Sequence, residues 1–211
     1  MRSLVIALIL VGATFAQTTV KEHGKVLPPS SNERHTEANF KGSDVKLDLG
    51  VGEFEVVPGA SDKVVVVWWG KTADEAHARV ETTGSVATVH AGSDRHNNAD
   101  VHFRIELPRR ADIVANAKVG EVRIGGFNGD LSAEIGVGEL SVRVLNPSEY
   151  GAVTASVGVG DVSAGPFEAA AKRSHLVGAK LEYRGSGARR LTLHVGTGEV
   201  RIEEGGAGAA I

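Results

Sequence analysis

The sequence predicts an all-β protein, built as a single-domain β-solenoid with coils of about 20 residues. Two observations lead to this prediction: a ten-residue phrase occurs five times, and its copies follow one another at similar intervals. Short strands and Gly-rich corners repeated at this length are typical of a solenoid. In such a fold a single coil cannot bury its own apolar face, and stacked coils share one interior.

The repeated phrase has the form apolar-x-apolar-Gly-x-Gly-acid-apolar-x-apolar. Its apolar residues alternate as in a strand, and the alternation changes phase after the second Gly and the acid. Because Gly supplies unusual backbone angles, each phrase predicts two short strands around a corner, with the acid pointing to water. The copies are LDLGVGEFEV from Leu47, ANAKVGEVRI from Ala115, AEIGVGELSV from Ala133, ASVGVGDVSA from Ala155 and LHVGTGEVRI from Leu193.

The intervals between copies predict how the coils follow one another. Counted at the second Gly, they are 18 residues from Gly120 to Gly138, 22 to Gly160 and 38 to Gly198. The last interval corresponds to two coils, and LVGAKLEY over residues 176–183 is predicted to be a degraded copy between them. The stacked coils should share one interior. We expect it to contain Leu47, Ile135, Val137, Leu140, Val142, Val157, Val159, Val195 and Val200.

The two ends of the chain differ from this central region. Residues 1–16 have a basic start at Arg2, an apolar run and small residues before Gln17, which is typical of a secretory signal peptide. The apolar run is too short to span about 30 Å of hydrocarbon. We predict a flexible leader over residues 17–42, the solenoid over residues 43–205 and a small-residue tail over residues 206–211.

Composition narrows the class of protein further. The chain has 27 Gly and no Cys in 211 residues, and only 5% of its residues are aromatic. A core of Val, Ile, Leu and Ala is therefore expected, without disulfides and without a lipid-modified N-terminal Cys. The formal net charge of −3 argues against nucleic acid or an anionic membrane as the partner.

One apolar run, KVVVVWW over residues 63–69, does not alternate, which indicates a strand covered on both faces. The following Thr72-Ala73-Asp74-Glu75 resembles a capping box and predicts a short helix over residues 73–80 that could provide the cover. Of Trp68 and Trp69, one should face inward and the other outward. The outward indole would pack under this helix or stack on a sugar ring.

Two groups of residues are candidate metal ligands. The acids of the phrase, placed about 4.8 Å apart on stacked coils, would form a carboxylate column, but calcium takes six to eight oxygen ligands. Solvated acids at the corners are the favoured interpretation. The histidines lack the spacing of a zinc site. We therefore predict no catalytic, cofactor-binding or metal site. The acids are Glu53, Glu121, Glu139, Asp161 and Glu199; the histidines are His90, His96, His102, His175 and His194.

The stretch over residues 104–142, with a strand ending in Pro followed by Gly-x-Gly-acid strand pairs, resembles the bacterial adhesin-like domain family of unknown function. That family is similar to the head domain of autotransporter adhesins. The stretch over residues 181–202 matches the way such domains close, and the resemblance covers roughly residues 43–204. It implies a right-handed, parallel β-helix-like solenoid in an exported protein, and it brings no catalytic or ligand residues.

The expected function is an exported, non-catalytic, adhesin-like module of the bacterial surface or envelope, located in the periplasm or outside the cell. Its partner would be a protein or a glycan, with no nucleic acid, no cofactor and no transmembrane segment in the mature chain. The alternative is a small carbohydrate-active solenoid enzyme, which needs acids and bases that converge in a groove. Short loops and the absence of a nucleophile motif or a phosphate loop favour the binding module.

Overall fold

The computed structural model describes residues 20–22, 25–27, 33–94, 100–170, 172–174 and 178–205. The chain divides into two units, residues 1–31 and 32–211. In the first unit, β1 (Val20–Glu22) and β2 (Lys25–Leu27) pair antiparallel. The predicted signal peptide over residues 1–16 and the predicted tail over residues 206–211 lie outside the described residues.

The second unit is all-β, as predicted. The short connections include 3₁₀ turns at Ala73–Glu75, Pro147–Glu149 and Gly165–Ala170. None of the described residues forms a helix long and apolar enough to cross a membrane. The strands are β3 (Arg34–Asn39), β4 (Asp44–Gly59), β5 (Lys63–Trp69), β6 (Ala76–Thr83), β7 (Val86–Ser93), β8 (His102–Pro108), β9 (Asp112–Gly125), β10 (Leu131–Val144), β11 (Tyr150–Ser163), β12 (Lys172–Ser174), β13 (Ala179–Arg184) and β14 (Arg189–Glu204).

Five long strands carry the five copies of the phrase, and they pair in parallel and in register. Their order across the sheet is β11, β14, β10, β9 and β4. We call them the bent strands, and we call the row formed by their second glycines the glycine column. Along this order the column consists of Gly160, Gly198, Gly138, Gly120 and Gly52.

The glycine column divides each bent strand into two halves that have different neighbours at the ends of the sheet. The first half of β4 pairs with β7 and then β6, whereas its second half is followed by β8, β5 and β3. At the other end, β13 and β12 extend only the first half of β11. We therefore describe this continuous sheet as a first layer, before the glycine column, and a second layer, after it.

Inward side chains of both layers belong to one hydrophobic cluster. On β10 the buried residues are Leu131, Ala133 and Ile135 in the first layer and Leu140, Val142 and Val144 in the second. Aromatic rings pack at both ends of the cluster, with centroids 4.9 Å apart for Phe54 and Phe103 and 4.9 Å apart for Phe167 and Tyr183. The prediction of one shared interior is confirmed for seven of the nine residues named for it, and Val137 and Val159 are the exceptions.

Backbones approach so closely at the glycine column that side chains have no room. A Cβ atom at Gly138 would lie 1.8 Å from the carbonyl oxygen of Gly120, and one at Gly198 would lie 1.8 Å from that of Gly138. The φ angles of these glycines are positive, between 135° and 155° along the column. Residues with a Cβ rarely adopt such angles, so the corner requires Gly on both conformational and steric grounds.

The strand order differs from that of coils stacked in sequence. β14 lies between β10 and β11 instead of at the end of the parallel block, and β13 pairs antiparallel with β11. Within the segment predicted over residues 176–183, residues 179–183 therefore do not form a degraded parallel copy of the phrase. Parallel and antiparallel strands share one sheet, so the all-β prediction is confirmed, whereas a right-handed solenoid is not shown.

Val137 and Val159 point outward, with 50% and 61% of their surface exposed. The reason is the position of the phase change. The ladder of paired residues skips the first Gly of the phrase, or Lys118 in the copy on β9. The residue that follows it therefore already lies on the outer side. The next inward residue on β10 after Ile135 is Leu140.

Two further local predictions are corrected by the structure. The expected leader over residues 17–42 includes β3, which pairs antiparallel with β5 at the edge of the second layer. The helix predicted over residues 73–80 is wrong: its first residues form one 3₁₀ turn, and the rest belongs to β6. The side chain of Thr72 makes no capping bond, and Ala76, Ala78 and Val80 follow the period of a strand packed on the core.

A substitution at Gly138 in the glycine column should be far more costly than one at Gly50, the first Gly of the phrase on β4. We expect Gly138→Ala to lower the free energy of unfolding by about 3 kcal/mol or more, because the new Cβ meets a backbone oxygen at a positive φ. Gly50→Ala is the control, since its Cβ would have its nearest neighbour at 3.4 Å. The control should cost less than about 1 kcal/mol in denaturant unfolding. Equal losses for the two variants would contradict the role given to the column.

Candidate binding face of the second layer

The outer face of the second layer is formed by the polar positions that alternate with buried residues after the glycine column. The first of these positions on each bent strand holds the acid of the phrase. Next to Glu53 of β4, the paired residues on the following strands are His102 on β8 and then Trp69 on β5. We call this line the acidic row. Its acids, from β11 to β4, are Asp161, Glu199, Glu139, Glu121 and Glu53.

The next outward position, two residues along each strand, carries most of the positive charge of this face. We call it the basic row. From β11 to β8 it consists of Ser163, Arg201, Ser141, Arg123, Glu55 and Arg104. Parallel strands in register place the two rows side by side over six strands, so carboxylates and guanidinium groups meet across the sheet.

Ion pairs join the two rows. Arg201 donates to Glu139 at 2.8 Å and to Glu199 at 2.9 Å, and Arg123 pairs with Glu121. The hydrogen bond that Arg201 donates to Glu199 and the negative charge of Glu139 raise the pKa of Arg201 above its ordinary range. The three glutamate side chains are only 27% to 38% exposed, so the prediction of solvated acids is wrong for them. Asp161 and Glu53 are exposed, as predicted.

A shallow depression of about 220 Å³ lies around Ser141, whose small side chain separates Arg201 from Arg123. Arg143 and Glu203 also line it. Its volume is below the roughly 300 to 1,000 Å³ of pockets that enclose small ligands. The depression therefore offers donors and acceptors to groups that approach the face from outside, and it does not enclose a substrate.

The acid on β11 is the only Asp in the acidic row, and its position at the edge of the second layer explains this. Among the described strands, β13 covers β11 only as far as Val157, and no strand follows on that side after the glycine column. The Asp161 carboxylate accepts a hydrogen bond at 2.8 Å from the backbone N–H of Val162. A short side chain that binds its own strand in this way limits pairing of the edge with another chain.

The candidate metal ligands are dispersed. His90 contacts Asp48 at 3.2 Å on the first layer, His102 contacts Glu53 at 2.9 Å on the second, and His194 contacts Ser156 at 3.0 Å. His96 lies outside the described residues, as does His175. In the part of the chain that the structure describes, no group of three His, Cys, Asp or Glu side chains is arranged to hold a metal ion.

Sequence reasoning singled out the acids of the phrase and missed the arginines that neutralise them. The signal was available, because the residue two positions after each acid must lie on the same outer face. Those residues are Glu55, Arg123, Ser141, Ser163 and Arg201. Which arginine would pair with which acid depends on strand order, and no single copy of the phrase contains that information.

Arg201 should stabilise the face measurably although it is partly exposed. We expect Arg201→Gln to lower the free energy of unfolding by about 1 kcal/mol, because Glu139 and Glu199 would then lie close together without their cation. The loss should shrink in about 1 M NaCl. Arg143→Gln is the control, since no ion pair of Arg143 is found among the described residues. Equal unfolding curves for the two variants at low salt would contradict this account.

No protein-family model and no curated protein matches the sequence. Solved structures do match the fold. A candidate cell adhesion protein of Clostridium sporogenes has a TM-score of 0.55 and 13% sequence identity, and the match covers 82% of this chain and 99% of that one. At this identity the similarity shows a shared fold alone.

Two other solved structures are similar over part of the fold. A candidate adhesin of Parabacteroides distasonis has a TM-score of 0.30 and 11% identity, covering 53% of this chain and 56% of that one. A candidate adhesin of Bacteroides fragilis has a TM-score of 0.27 and 13% identity, covering 82% of this chain and 98% of that one. Scores at this level carry no argument, so the shared fold rests on the clostridial protein.

Proposed function

We propose that this protein is an exported, non-catalytic, adhesin-like module that binds a protein or glycan partner at the bacterial surface or envelope. The observation that carries the proposal is the outer face of the second layer, where the acidic and basic rows lie side by side across the parallel strands. Export is supported by the predicted signal peptide over residues 1–16. The adhesin-like assignment is supported by the fold shared with the clostridial protein.

The face is suited to binding because its polar groups are fixed before a partner arrives. Arg104 donates to Glu55 at 2.6 Å and to Glu106 at 3.2 Å, and only 21% of its side chain is exposed. Arg201 is held by two carboxylates in the same way. Side chains that are already ordered lose little conformational entropy on binding, and alternating charges select a partner with complementary polar groups.

The same ion pairs support a binding role over the alternative, a carbohydrate-active enzyme. A catalytic acid and base need unequal environments and access to the reacting bond. Here the half-buried carboxylates repeat from strand to strand, and each is bonded to an arginine.

Binding can be tested with two substitutions on the same strand. Ser141→Tyr would fill the centre of the outer face of the second layer, whereas Ser132→Tyr would add the same group to the outer face of the first layer. In pull-downs from the native envelope fraction, we expect Ser141→Tyr to reduce capture of the partner about tenfold or more, with Ser132→Tyr close to the unmodified protein. Equal capture by both variants would refute the choice of face, and no saturable capture by the unmodified protein would refute the function.

Calcium should have no effect on stability if the acidic row is held by arginines. In calorimetry, we expect millimolar calcium chloride to change the melting temperature by less than about 1 °C, because the carboxylates already have cationic partners. Magnesium chloride at the same concentration controls for ionic strength. A calcium-specific rise of several degrees that is abolished by Gln at Glu121, Glu139, Asp161 and Glu199 would mean that the row is a metal site.

A further inference from the structure

The acidic row ends in two stacked aromatic rings, those of Trp69 and His102. Trp68 points into the core and is buried, whereas Trp69 points outward and is half-buried. The Trp69 indole stacks on the His102 imidazole, with ring centroids 5.7 Å apart and an angle of 17° between the planes. One face of the indole is therefore covered by the neighbouring strand.

The other face of this indole points away from His102, toward the start of the edge strand. β3 begins at Arg34, which pairs with Trp68, so none of the residues in β3 pairs with Trp69. The helix predicted to cover this position is not formed, because residues after Glu75 belong to β6. Among the described strands, Trp69 thus has a stacking neighbour on one side only.

Hydrogen-bonding groups of both signs surround the aromatic pair. Glu53 lies 2.9 Å from His102 Nδ1, which leaves the second imidazole nitrogen, Nε2, on the side of Asp100 at 4.0 Å. Asp100 is bonded in turn to Lys71 Nζ at 2.9 Å. Lys71 lowers the pKa of Asp100, so this carboxylate is ionised at neutral pH. The ammonium group of Lys71 is held although its side chain is 88% exposed.

The charges around Trp69 limit the class of ligand. The two carboxylates of Glu53 and Asp100 outnumber the single ammonium of Lys71, which disfavours an anionic ligand. A cationic ligand would need a cage of several aromatic faces or an unpaired carboxylate. Among the described residues, Trp69 has one aromatic neighbour, His102, and both carboxylates have partners within 3 Å. These observations leave an uncharged ligand, flat enough to stack on the indole and with hydroxyl groups that can bond to the surrounding side chains.

We propose that Trp69 and His102 form a carbohydrate subsite that takes the C–H face of a neutral pyranose ring, with Glu53, Asp100 and Lys71 as hydrogen-bonding partners for its hydroxyl groups. The weakly positive C–H bonds of the ring meet the negative face of the indole. Carboxylates and an ammonium bind hydroxyl groups as acceptors and donors. The inference rests on the proposed function, because this subsite ends the same outer face, and it names the partner as a glycan.

Fluorescence offers a direct test, because Trp68 and Trp69 are the only tryptophans of the chain. In a Trp68→Phe variant, the emission reports on Trp69 alone. The probes are hexasaccharides of β-1,4-linked glucose and of β-1,4-linked mannose, with oligogalacturonate as the anionic comparison. We expect a saturable change in emission with at least one neutral probe, at a dissociation constant on the order of 1 mM for so open a site, and none with oligogalacturonate. No change with either neutral probe would overturn the proposal.

Substitutions at Trp69 separate stacking from a merely structural role. By calorimetric titration in the otherwise unmodified protein, Trp69→Leu should weaken binding of the neutral probe about tenfold or more, and Trp69→Tyr should retain part of it. Ser132→Tyr on the other layer should bind like the unmodified protein. Equal binding by the Leu variant, with its fold verified by circular dichroism, would overturn the subsite.

The envelope assay distinguishes failure of this subsite from failure of the proposed function. If the neutral probe competes with envelope capture and Trp69→Leu abolishes capture, both proposals are supported. If capture depends on Ser141 but is unchanged by the probe and by Trp69→Leu, the subsite is refuted and the proposed function stands. If choline competes as well as the neutral probe, the site recognises a cation and the carbohydrate proposal is refuted.

Discussion

Contact between backbones at the glycine column is the constraint on which the rest of this structure depends. Adjacent bent strands approach until a Cβ at Gly160 would lie 1.8 Å from the carbonyl oxygen of Gly198, and a Cβ at Gly198, Gly138 or Gly120 would lie 1.8 to 1.9 Å from the oxygen of the next glycine in the column. Such an approach excludes every residue but Gly. It also places all five corners at the same height, because a strand shifted by one residue would bring a side chain against a neighbouring backbone. The five strands therefore bend together at the glycine column.

The charged face follows from that registration. Once the second glycines lie side by side, the acids that follow them must form a row, and the residues two positions later must form another. Like charges side by side are unfavourable, and the pairing of Arg201 with Glu139 and Glu199 relieves this repulsion. At the edge of the second layer, where β14 is the only described strand that pairs with β11, the Asp161 carboxylate accepts a hydrogen bond from the backbone N–H of Val162. A single steric requirement thus orders both the core and the polar surface.

Much of the fold was predictable because the phrase encodes local geometry. The alternation, the corner and the outward acid are properties of each ten-residue copy, and the shared interior follows from them. Strand order was not predictable, because the copies have nearly the same apolar pattern and any copy could pair with any other. The outward direction of Val137 was missed because the sequence does not say whether the alternation of inward and outward side chains changes before or after this residue. Thr72 had the sequence of a helix cap, but packing of Ala76 against the core favoured a strand.

β14 is the last strand in the described part of the chain, and it lies inside the parallel block, between β10 and β11. Among the described strands, β11, β13 and β12 are linked by backbone pairing to the rest of the sheet through β14 alone. Until residues 189–204 have been synthesised, the segment over residues 150–184 has no sheet to join, and the core cannot close. Closing of the core therefore depends on a pairing between segments that are distant in sequence. The strands from β3 to β10 can pair with one another before β14 is available, whereas β11, β13 and β12 can join them only through it.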